Sequence, residues 1–307
     1  MSAGNLACPD RVFHYTNAEG LLGILQSRKL WASDSLYLND LQEIRYAAGL
    51  LNAEICGRLA EGTCSPELNE YLLSLRTWLE QRIGHDGSST IYVEDAPLVV
   101  SFCDCGDILS MWRSYSGSSG FSIEFDSHIL LKSVGVLCKD HDGQPFGLEL
   151  TRDEYASLWS TNFDLVGEMI PINYDSQCAR NDMSLLLDSI VHSFKERRNE
   201  IDAGFPEGMF AGLVEYKDPA FSEERETRLI VHRPSCLAAS PKLRVARGHL
   251  VPYREICFPF SAIRSITVGP SPYISRSASA LRQRLRSGGR GEWAHVEVRE
   301  SSIPYAQ

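Results

Sequence analysis

The stretch PLVVSFC, at residues 97–103, is the clearest buried strand in this sequence of 307 residues. A short, nearly continuous apolar run is typical of a strand that is covered on both faces. The segment GFSIEFD, Gly120–Asp126, follows it and alternates between apolar and polar residues, as a half-buried strand does. Residues 108–115 predict a short helix or turn between the two. The middle of the chain is therefore predicted to supply two strands of a sheet.

The part of the chain before these strands is predicted to alternate between strands and helices. RVFHYT, at residues 11–16, is rich in β-branched and aromatic residues and predicts a short strand. Asn17 can cap the helix that follows it, and Asn39 or Asp40 can cap a second helix. Residues 30–33 predict another short strand between the two helices.

Two long segments are predicted to be helical insertions into the sheet, at residues 49–86 and at residues 176–205. In the first of them, leucines recur at spacings of three or four residues, which places them on one face of a helix. These leucines are Leu68, Leu72, Leu75 and Leu79.

The second half of the chain is predicted to contain five strands and a basic helix. The strands are at residues 169–174, 212–216, 226–232, 263–268 and 293–298, and the helix is at residues 277–286. Strands and helices are interspersed without a regular βαβ period, so the fold class that we predict is α+β rather than a doubly wound sheet. We expect residues 1–307 to form a single domain.

The composition, with 43% hydrophobic and 23% charged residues, is that of a globular protein. Nine cysteines, an odd number at irregular spacing, argue against a disulfide framework and favour a reducing compartment. The first sixteen residues lack the basic flank and apolar run of a secretory signal. No apolar stretch is long enough to span a bilayer. We therefore expect a cytoplasmic protein with no membrane partner.

The net charge of −10 is unevenly distributed. Residues 241–300 contain eleven Lys and Arg but only four Glu, a net charge of +7, which leaves −17 for the rest of the chain. Such asymmetry indicates a surface for an anionic partner. The alternative is an exposed helix whose arginines are simply solvated.

The usual motifs of several enzyme classes are absent. The sequence has no GxxxxGK[ST] loop, no GxGxxG after a strand, no HExxH and no GxSxG. Four residues could suit zinc: Cys103, Cys105, Cys138 and His141. However, they form no CxxC pair, and a cysteine is commonly just a small buried residue. We therefore expect no metal site.

The remaining polar and aromatic groups each have a plain structural explanation beside a functional one. A lone histidine on a strand, such as His14, is more often a satisfied structural residue than a ligand-binding one. Trp112 and Tyr115 are either core aromatics or a wall on which a planar ring can stack. Glu224 and Glu226 lie among arginines, as in a surface ion-pair patch. Their mutual repulsion would also raise a carboxylate pKa.

Taken in order, these segments resemble the bacterial proteins grouped as domain of unknown function 2971. The resemblance runs from about residue 11 to residue 286, and the residues 263–270, IRSITVGP, fit the end of that family. Its motifs are carried by residues 14–16, residues 21–25, Ser33, Asn39, Asp40, Glu43, Ser101, Phe102, Met111, Trp112, Tyr115, Gly120, Phe121, Glu224, Glu226 and Arg228.

The layout is also similar to that of the ADP-ribosyltransferases, especially the bacterial DNA-targeting toxins of that superfamily. Those proteins begin with a short strand bearing a polar residue, continue with a helix of the form NLxxIL, and carry a catalytic glutamate on a late strand. The counterparts here are His14, the helix at residues 20–25 and Glu226. This resemblance implies a split, mostly antiparallel sheet with flanking helices, and NAD as the substrate.

The chemistry of ADP-ribosyl transfer is consistent with the residue roles that this resemblance implies. Breaking the ribose–nicotinamide bond passes through an oxocarbenium-like state, which a carboxylate such as Glu226 stabilises. A histidine can hold the ribose and the amide, so His14 is both a catalytic and an NAD-binding candidate. The other NAD-binding candidates are aromatic rings that can stack on nicotinamide and an arginine that can bind the pyrophosphate. They are Tyr15, Trp112, Tyr115 and Arg228.

We therefore expect NAD-dependent ADP-ribosyl transfer to an unidentified acceptor macromolecule, in a toxin or phage-defence setting. A first alternative is a non-catalytic sensing or adaptor module that binds a nucleotide or a partner protein. A second alternative is a metal-dependent nucleic-acid hydrolase, with carboxylates as Mg²⁺ ligands. Its ligands would be Asp40, Glu43, Glu224 and Glu226.

Overall fold

The computed structural model describes residues 9–37, 41–83, 96–115, 120–134, 148, 150–162, 165–196, 212–232, 241–246, 248–287 and 291–304. Within them, ten strands form one sheet. The strands are β1 (Arg11–Asn17), β2 (Lys29–Asp34), β3 (Leu98–Cys103), β4 (Gly120–Asp126), β5 (Val166–Pro171), β6 (Glu226–His232), β7 (Lys242–Ala246), β8 (His249–Cys257), β9 (Ile263–Val268) and β10 (Glu297–Glu300).

Helices pack on the two faces of this sheet. They are α1 (Ala18–Ser27), α2 (Leu41–Ala60), α3 (Pro66–Ile83), α4 (Leu109–Tyr115), α5 (Ser127–Val134), α6 (Arg152–Asn162), α7 (Ser176–Glu196) and α8 (Ile274–Ser287). Asn17 caps α1 as predicted, because its side chain accepts a hydrogen bond of 2.8 Å from the backbone N–H of Gly20.

The sheet is open and mostly antiparallel, which confirms the α+β class. Its strands run in the order β10-β9-β4-β1-β3-β2-β8-β7, while β6 pairs with β3 and β5 pairs with β6. Among the strand pairs, β9 with β10 is parallel and the others are antiparallel.

The sheet forks at β3, because β1 and β2 share one edge of that strand. β1 pairs with β3 only at Cys103, opposite Phe13, whereas β2 pairs with it only at Leu98 and Val99. Between these points, β1 and β2 diverge. β6 pairs along the whole of the opposite edge of β3. The fork therefore exposes the middle of a strand that lies at the centre of the sheet.

Each face of the sheet has its own hydrophobic core. On one face, α1, α5 and α8 pack around a chain of edge-to-face aromatic contacts, Phe102 to Phe125 and Phe125 to Phe258. The other face is covered by α2, α3 and α7, whose buried leucines pack together with Ile230 of β6. The leucines predicted to line one face of a helix are all buried there, namely Leu68, Leu72, Leu75 and Leu79.

The two predicted helical insertions are mainly helical where the structure describes them, although residues 61–65, within the first, are not. The first is the pair α2 and α3, and the second is α7. The predicted capping residues Asn39 and Asp40 lie outside the described residues, although α2 begins directly after them, at Leu41. No helix in the described parts of the chain combines the length and the apolar character that crossing a membrane requires.

Three strand predictions need correction. Residues 212–216 are not a strand: Gly212 and Leu213 are helical, and Tyr216 forms only an isolated bridge with Asn173. Leu213, Val214 and Tyr216 are all buried against the helical layer, so the apolar run reflects burial rather than strand pairing. The strand predicted at residues 293–298 begins only at Glu297. The strand predicted at residues 169–174 lies three residues earlier, as β5 at Val166–Pro171.

Candidate functional site

The fork holds a pocket of about 180 Å³, which we call the fork pocket. Directly opposed residues of antiparallel strands point to the same face of a sheet. The pairings Phe13 with Cys103, Cys103 with Glu226 and Ser33 with Val99 therefore gather side chains from four strands on one face. The lining residues are Phe13, His14, Tyr15, Trp31, Ser33, Val99, Val100, Ser101, Phe102, Met111, Tyr115, Lys217, Glu224, Glu226 and Arg244.

Ser101 is the one exposed residue of the otherwise buried strand β3, because neither β1 nor β2 covers this point. Its backbone carbonyl lies 3.1 Å from Nδ1 of His14. Its hydroxyl hydrogen-bonds to the carboxylate of Glu226. A single residue at the fork thus connects His14 and Glu226, which are far apart in the sequence.

His14 is half-buried and neutral at physiological pH. Burial lowers the pKa of its imidazole, and the edge of the ring packs against Phe102 at a centroid distance of 5.8 Å. A carbonyl oxygen only accepts hydrogen bonds, so the contact with Ser101 makes Nδ1 the protonated nitrogen. Nε2 of the neutral ring is then a hydrogen-bond acceptor.

Glu226 is an ionised carboxylate between two buried cations. Arg228 binds it in a bidentate manner, with Nε 2.7 Å from Oε1 and Nη2 2.9 Å from Oε2. Nζ of Lys217 lies 3.2 Å from Oε2. Burial opposes the ionisation of Glu226, but the charges of Arg228 and Lys217 outweigh it and lower the pKa to about 2.

Glu224 is the second carboxylate of the fork pocket. It accepts hydrogen bonds from Nζ of Lys217 at 2.5 Å and from the Tyr115 hydroxyl at 3.2 Å. Arg225, between the two glutamates, has a left-handed backbone with φ of 46°. Lys217 therefore bridges Glu224 and Glu226 across a kink in the chain.

The depressed pKa of Glu226 predicts a loss of stability in acid. A carboxyl whose ordinary pKa of 4.5 falls to about 2 on folding stabilises the protein above pH 4.5. We expect this contribution, on the order of 3 kcal/mol, to disappear as the pH falls from 4.5 towards 2. Urea unfolding at a series of pH values measures it. The double variant Arg228→Met/Glu226→Gln should lack this component, and an identical pH dependence in both proteins would refute the assignment.

The structure brings most of the predicted site residues to the fork pocket, but not all of them. His14, Tyr15, Tyr115 and Glu226 line it. Arg228 does not, because it is 0% exposed and its guanidinium is bound to Glu226 and to the carbonyl of Val214. The arginine predicted to bind pyrophosphate is therefore directed into the protein. The chemical roles of the residues that do line the pocket stay predictions.

Trp112 is also away from the pocket. Its ring is buried, donates a hydrogen bond of 2.8 Å from Nε1 to Asp107, and packs edge-on against Tyr15 at 4.7 Å. It also lies against Gly269, where an added Cβ would come within 2.8 Å of the ring. Trp112 is thus a core residue, and Tyr115 is the member of this pair that faces the pocket.

Four residues that line the pocket were not predicted to be site residues, namely Trp31, Ser33, Lys217 and Arg244. Ser33 was noted only for the family resemblance, and Trp31 lies in a strand that was predicted without a role. Arg244 lies on β7, whose hairpin with β8 was not predicted, although Gly248, with φ of 85°, marks its turn. Lys217 directly follows the segment at residues 212–216, which was wrongly predicted to be a strand. No local sequence pattern marked Lys217 as a site residue.

The residues weighed as possible metal ligands do not gather around a cation site in the described residues. An ammonium group, Nζ of Lys217, occupies the position between Glu224 and Glu226 that a cation would take. Asp40 lies outside the described residues, as do Cys138 and His141. Cys103 is buried, and burial raises the pKa of its thiol to about 12. Within the described ranges, no three His, Cys, Asp or Glu residues form a metal-binding group.

The basic residues at positions 241–300 are spread over several elements, including Arg254 on β8, Arg264 on β9 and Arg299 on β10. Lys242 and Arg244 lie on the edge strand β7, while Arg276, Arg282, Arg284 and Arg286 lie on α8. Arg282 interacts with Glu300 of β10 at 3.5 Å. The anionic partner predicted for this region stays a prediction.

Fold and site together define an α+β protein whose open, mostly antiparallel sheet forks around a polar pocket. Residues 111–229 of the chain match the family described as protein of unknown function (DUF2971). This match supports the predicted resemblance to that family. No curated protein and no solved structure matches the chain. These comparisons give no support to the ADP-ribosyltransferase resemblance, which stays a prediction.

Proposed function

We propose that the fork pocket binds NAD and that the protein transfers ADP-ribose from it to an acceptor macromolecule. One observation carries this proposal: His14 of β1 and Glu226 of β6 line the same pocket and both contact Ser101. His14 is neutral and can accept a hydrogen bond at Nε2, whereas Glu226 stays anionic. The His14 imidazole can therefore accept a hydrogen bond from a ribose hydroxyl. The Glu226 carboxylate supplies the negative charge that stabilises an oxocarbenium-like centre.

The size of the pocket is consistent with one end of the dinucleotide. A volume of about 180 Å³ is below the roughly 300–1,000 Å³ typical of pockets that enclose a whole drug-sized ligand. It suits the nicotinamide ring and its ribose, with the remainder of NAD in the open mouth. Tyr115, 38% exposed, offers a ring face for the nicotinamide.

In the proposed reaction the bond between C1′ of the ribose and the nicotinamide nitrogen breaks. The bonding electron pair leaves with nicotinamide, which becomes neutral, and positive charge develops at C1′ and the ring oxygen. Glu226 stabilises this charge, and a nucleophilic oxygen or nitrogen of the acceptor then bonds to C1′ and releases its proton. Arg228 and Lys217 hold the carboxylate in a fixed position and keep it ionised.

A nucleotide-binding sensor without catalysis is the second candidate, and the same ion pairs favour it. Arg228 and Lys217 compensate the charge of Glu226, which leaves less of it for a developing cation. In that case the pocket would bind a nucleotide and leave it intact. The metal-dependent hydrolase is less favoured, because Lys217 occupies the space between Glu224 and Glu226.

Two measurements on the purified full chain test these candidates. We expect calorimetry to detect NAD binding, and chromatography to detect release of nicotinamide when cell lysate supplies an acceptor. In the variant Ser101→Val the hydrogen bond to Glu226 is lost at an exposed position, so we expect weaker NAD binding and an intact fold. NAD binding without release of nicotinamide would support the sensor. The absence of both would refute the proposed transfer.

A further inference from the structure

Arg244 is a cation of the fork pocket that the proposed reaction does not use. It lies on the edge strand β7, opposite Val251 of β8. Its neighbour Lys242 is opposite Tyr253, which in turn is opposite Ser33 of β2. Arg244 therefore lies on the pocket face of the sheet. Its side chain extends over β8, and Nη2 donates a hydrogen bond of 2.9 Å to the Ser33 hydroxyl.

The guanidinium of Arg244 is poorly compensated by the rest of the described structure. Its Nε is buried and has no hydrogen-bond partner among the described residues. Within the described parts of the chain, Arg244 forms no ion pair with a carboxylate. Glu255, on the same face of the sheet, pairs instead with Lys29 and Lys242. Burial lowers the pKa of Arg244. A half-buried cation with free donors is costly to maintain unless an anion completes the site.

The other cation that lines the pocket is already neutralised. Lys217 binds Glu224 and Glu226, so it has little capacity for an anionic ligand. Arg244 in contrast lines the pocket without a carboxylate partner among the described ion pairs, and a guanidinium group suits a phosphate. Beside it, Trp31 is 51% exposed and packs against Tyr253 at a centroid distance of 4.7 Å. This part of the pocket thus combines a cation with an accessible aromatic face.

We infer that Arg244, with the Ser33 hydroxyl, binds a phosphate group of the nucleotide in the fork pocket. This inference rests on the proposed nucleotide-binding function, and it assigns the subsite that holds the negatively charged phosphate of the nucleotide. Ser33 is opposite Val99, two residues along β3 from Ser101, which corresponds to about 7 Å along a strand. That separation is comparable to the span of a ribose 5′-phosphate. A ribose held beside Ser101 can therefore place its phosphate at Arg244, which lines the same pocket.

Two probes that differ only by one phosphate test the inference. Calorimetry with the full chain compares nicotinamide riboside and nicotinamide mononucleotide. We expect Arg244→Gln to weaken binding of the mononucleotide and of NAD by about 10- to 100-fold, as for a lost hydrogen bond to a charged group. Binding of the riboside should change by less than about twofold, since it has no phosphate for Arg244 to hold.

Lys242→Gln is the matched control. It removes one positive charge from the same face of the same strand, two residues away, but from a side chain that pairs with Glu255. We expect it to change nucleotide affinity by less than about threefold, because an exposed charge acts weakly at a distance. Arg244→Lys keeps the charge and loses the planar fork, so its affinity should lie between those of the wild type and Arg244→Gln.

The outcomes separate this inference from the proposed transfer. If the wild type binds NAD and Arg244→Gln binds it equally well, the phosphate subsite is refuted and the transfer proposal stands. If the wild type binds nicotinamide mononucleotide in an Arg244-dependent way but releases no nicotinamide from NAD, the subsite stands and the transfer proposal fails. No binding of any of these nucleotides refutes the subsite. Thermal unfolding monitored by circular dichroism confirms that each variant is folded.

Discussion

Replacing Arg228 by methionine is expected to reduce the free energy of unfolding by about 3–5 kcal/mol. Arg228 is fully buried, binds both oxygens of Glu226 and donates a hydrogen bond of 2.7 Å to the carbonyl of Val214. Without it, Glu226 retains only Lys217 as a cationic partner among these contacts, and the carbonyl loses its donor. Urea denaturation followed by circular dichroism measures the change.

Arg225→Met is the matched control for this prediction. Arg225 also pairs with a carboxylate, that of Asp104, at 2.8 Å, but its side chain is mostly exposed to solvent. An exposed ion pair of this kind contributes about 0–1 kcal/mol, so the two arginine variants should differ clearly. Adding Glu226→Gln to Arg228→Met should recover part of the loss, because it removes the uncompensated charge. Equal losses in Arg225→Met and Arg228→Met would contradict this account of the buried pair.

Replacing Glu226 by glutamine is expected to reduce the rate of nicotinamide release by roughly 10²–10³-fold. The amide has the shape of the carboxylate but lacks the charge that the proposed oxocarbenium-like state requires. The same change leaves the buried guanidinium of Arg228 opposite a neutral group, so it should also destabilise the fold. The rates must therefore be compared at a temperature at which circular dichroism shows both proteins to be folded.

Glu224→Gln is the control for the catalytic role. Glu224 lines the same pocket and contacts the same lysine, but Arg228 does not hold it in the contacts described. If the Glu224 variant is inactive and the Glu226 variant is active, the catalytic role belongs to Glu224. If both variants bind NAD and neither the wild type nor the variants release nicotinamide, the sensor is the better description of the protein.

Elements with a strong local pattern were predictable from the sequence. The buried strand at residues 97–103 and the capping residue Asn17 each depend on a few neighbouring residues, and each agrees with the structure. The alternation in β4 located a strand but wrongly predicted a half-buried one, because its polar residues Ser122 and Glu124 are buried as well. The hairpin of β7 and β8 was missed, since β7 has an irregular burial pattern along a sheet edge. The run at residues 212–216 was misassigned, because buried apolar residues in a short segment do not distinguish a strand from a turn.

The candidate site was only partly predictable from the sequence, because its geometry depends on pairing between distant segments of the chain. The sequence by itself determined that β1 carries His14 and that β6 begins with Glu226. Only the tertiary structure decided that Arg228 points into the protein, that Trp112 belongs to the core, and that Lys217 and Arg244 reach the pocket. Strand register and the fork at β3 set those positions. Both arise from pairing between segments far apart in the chain, which local sequence patterns do not encode.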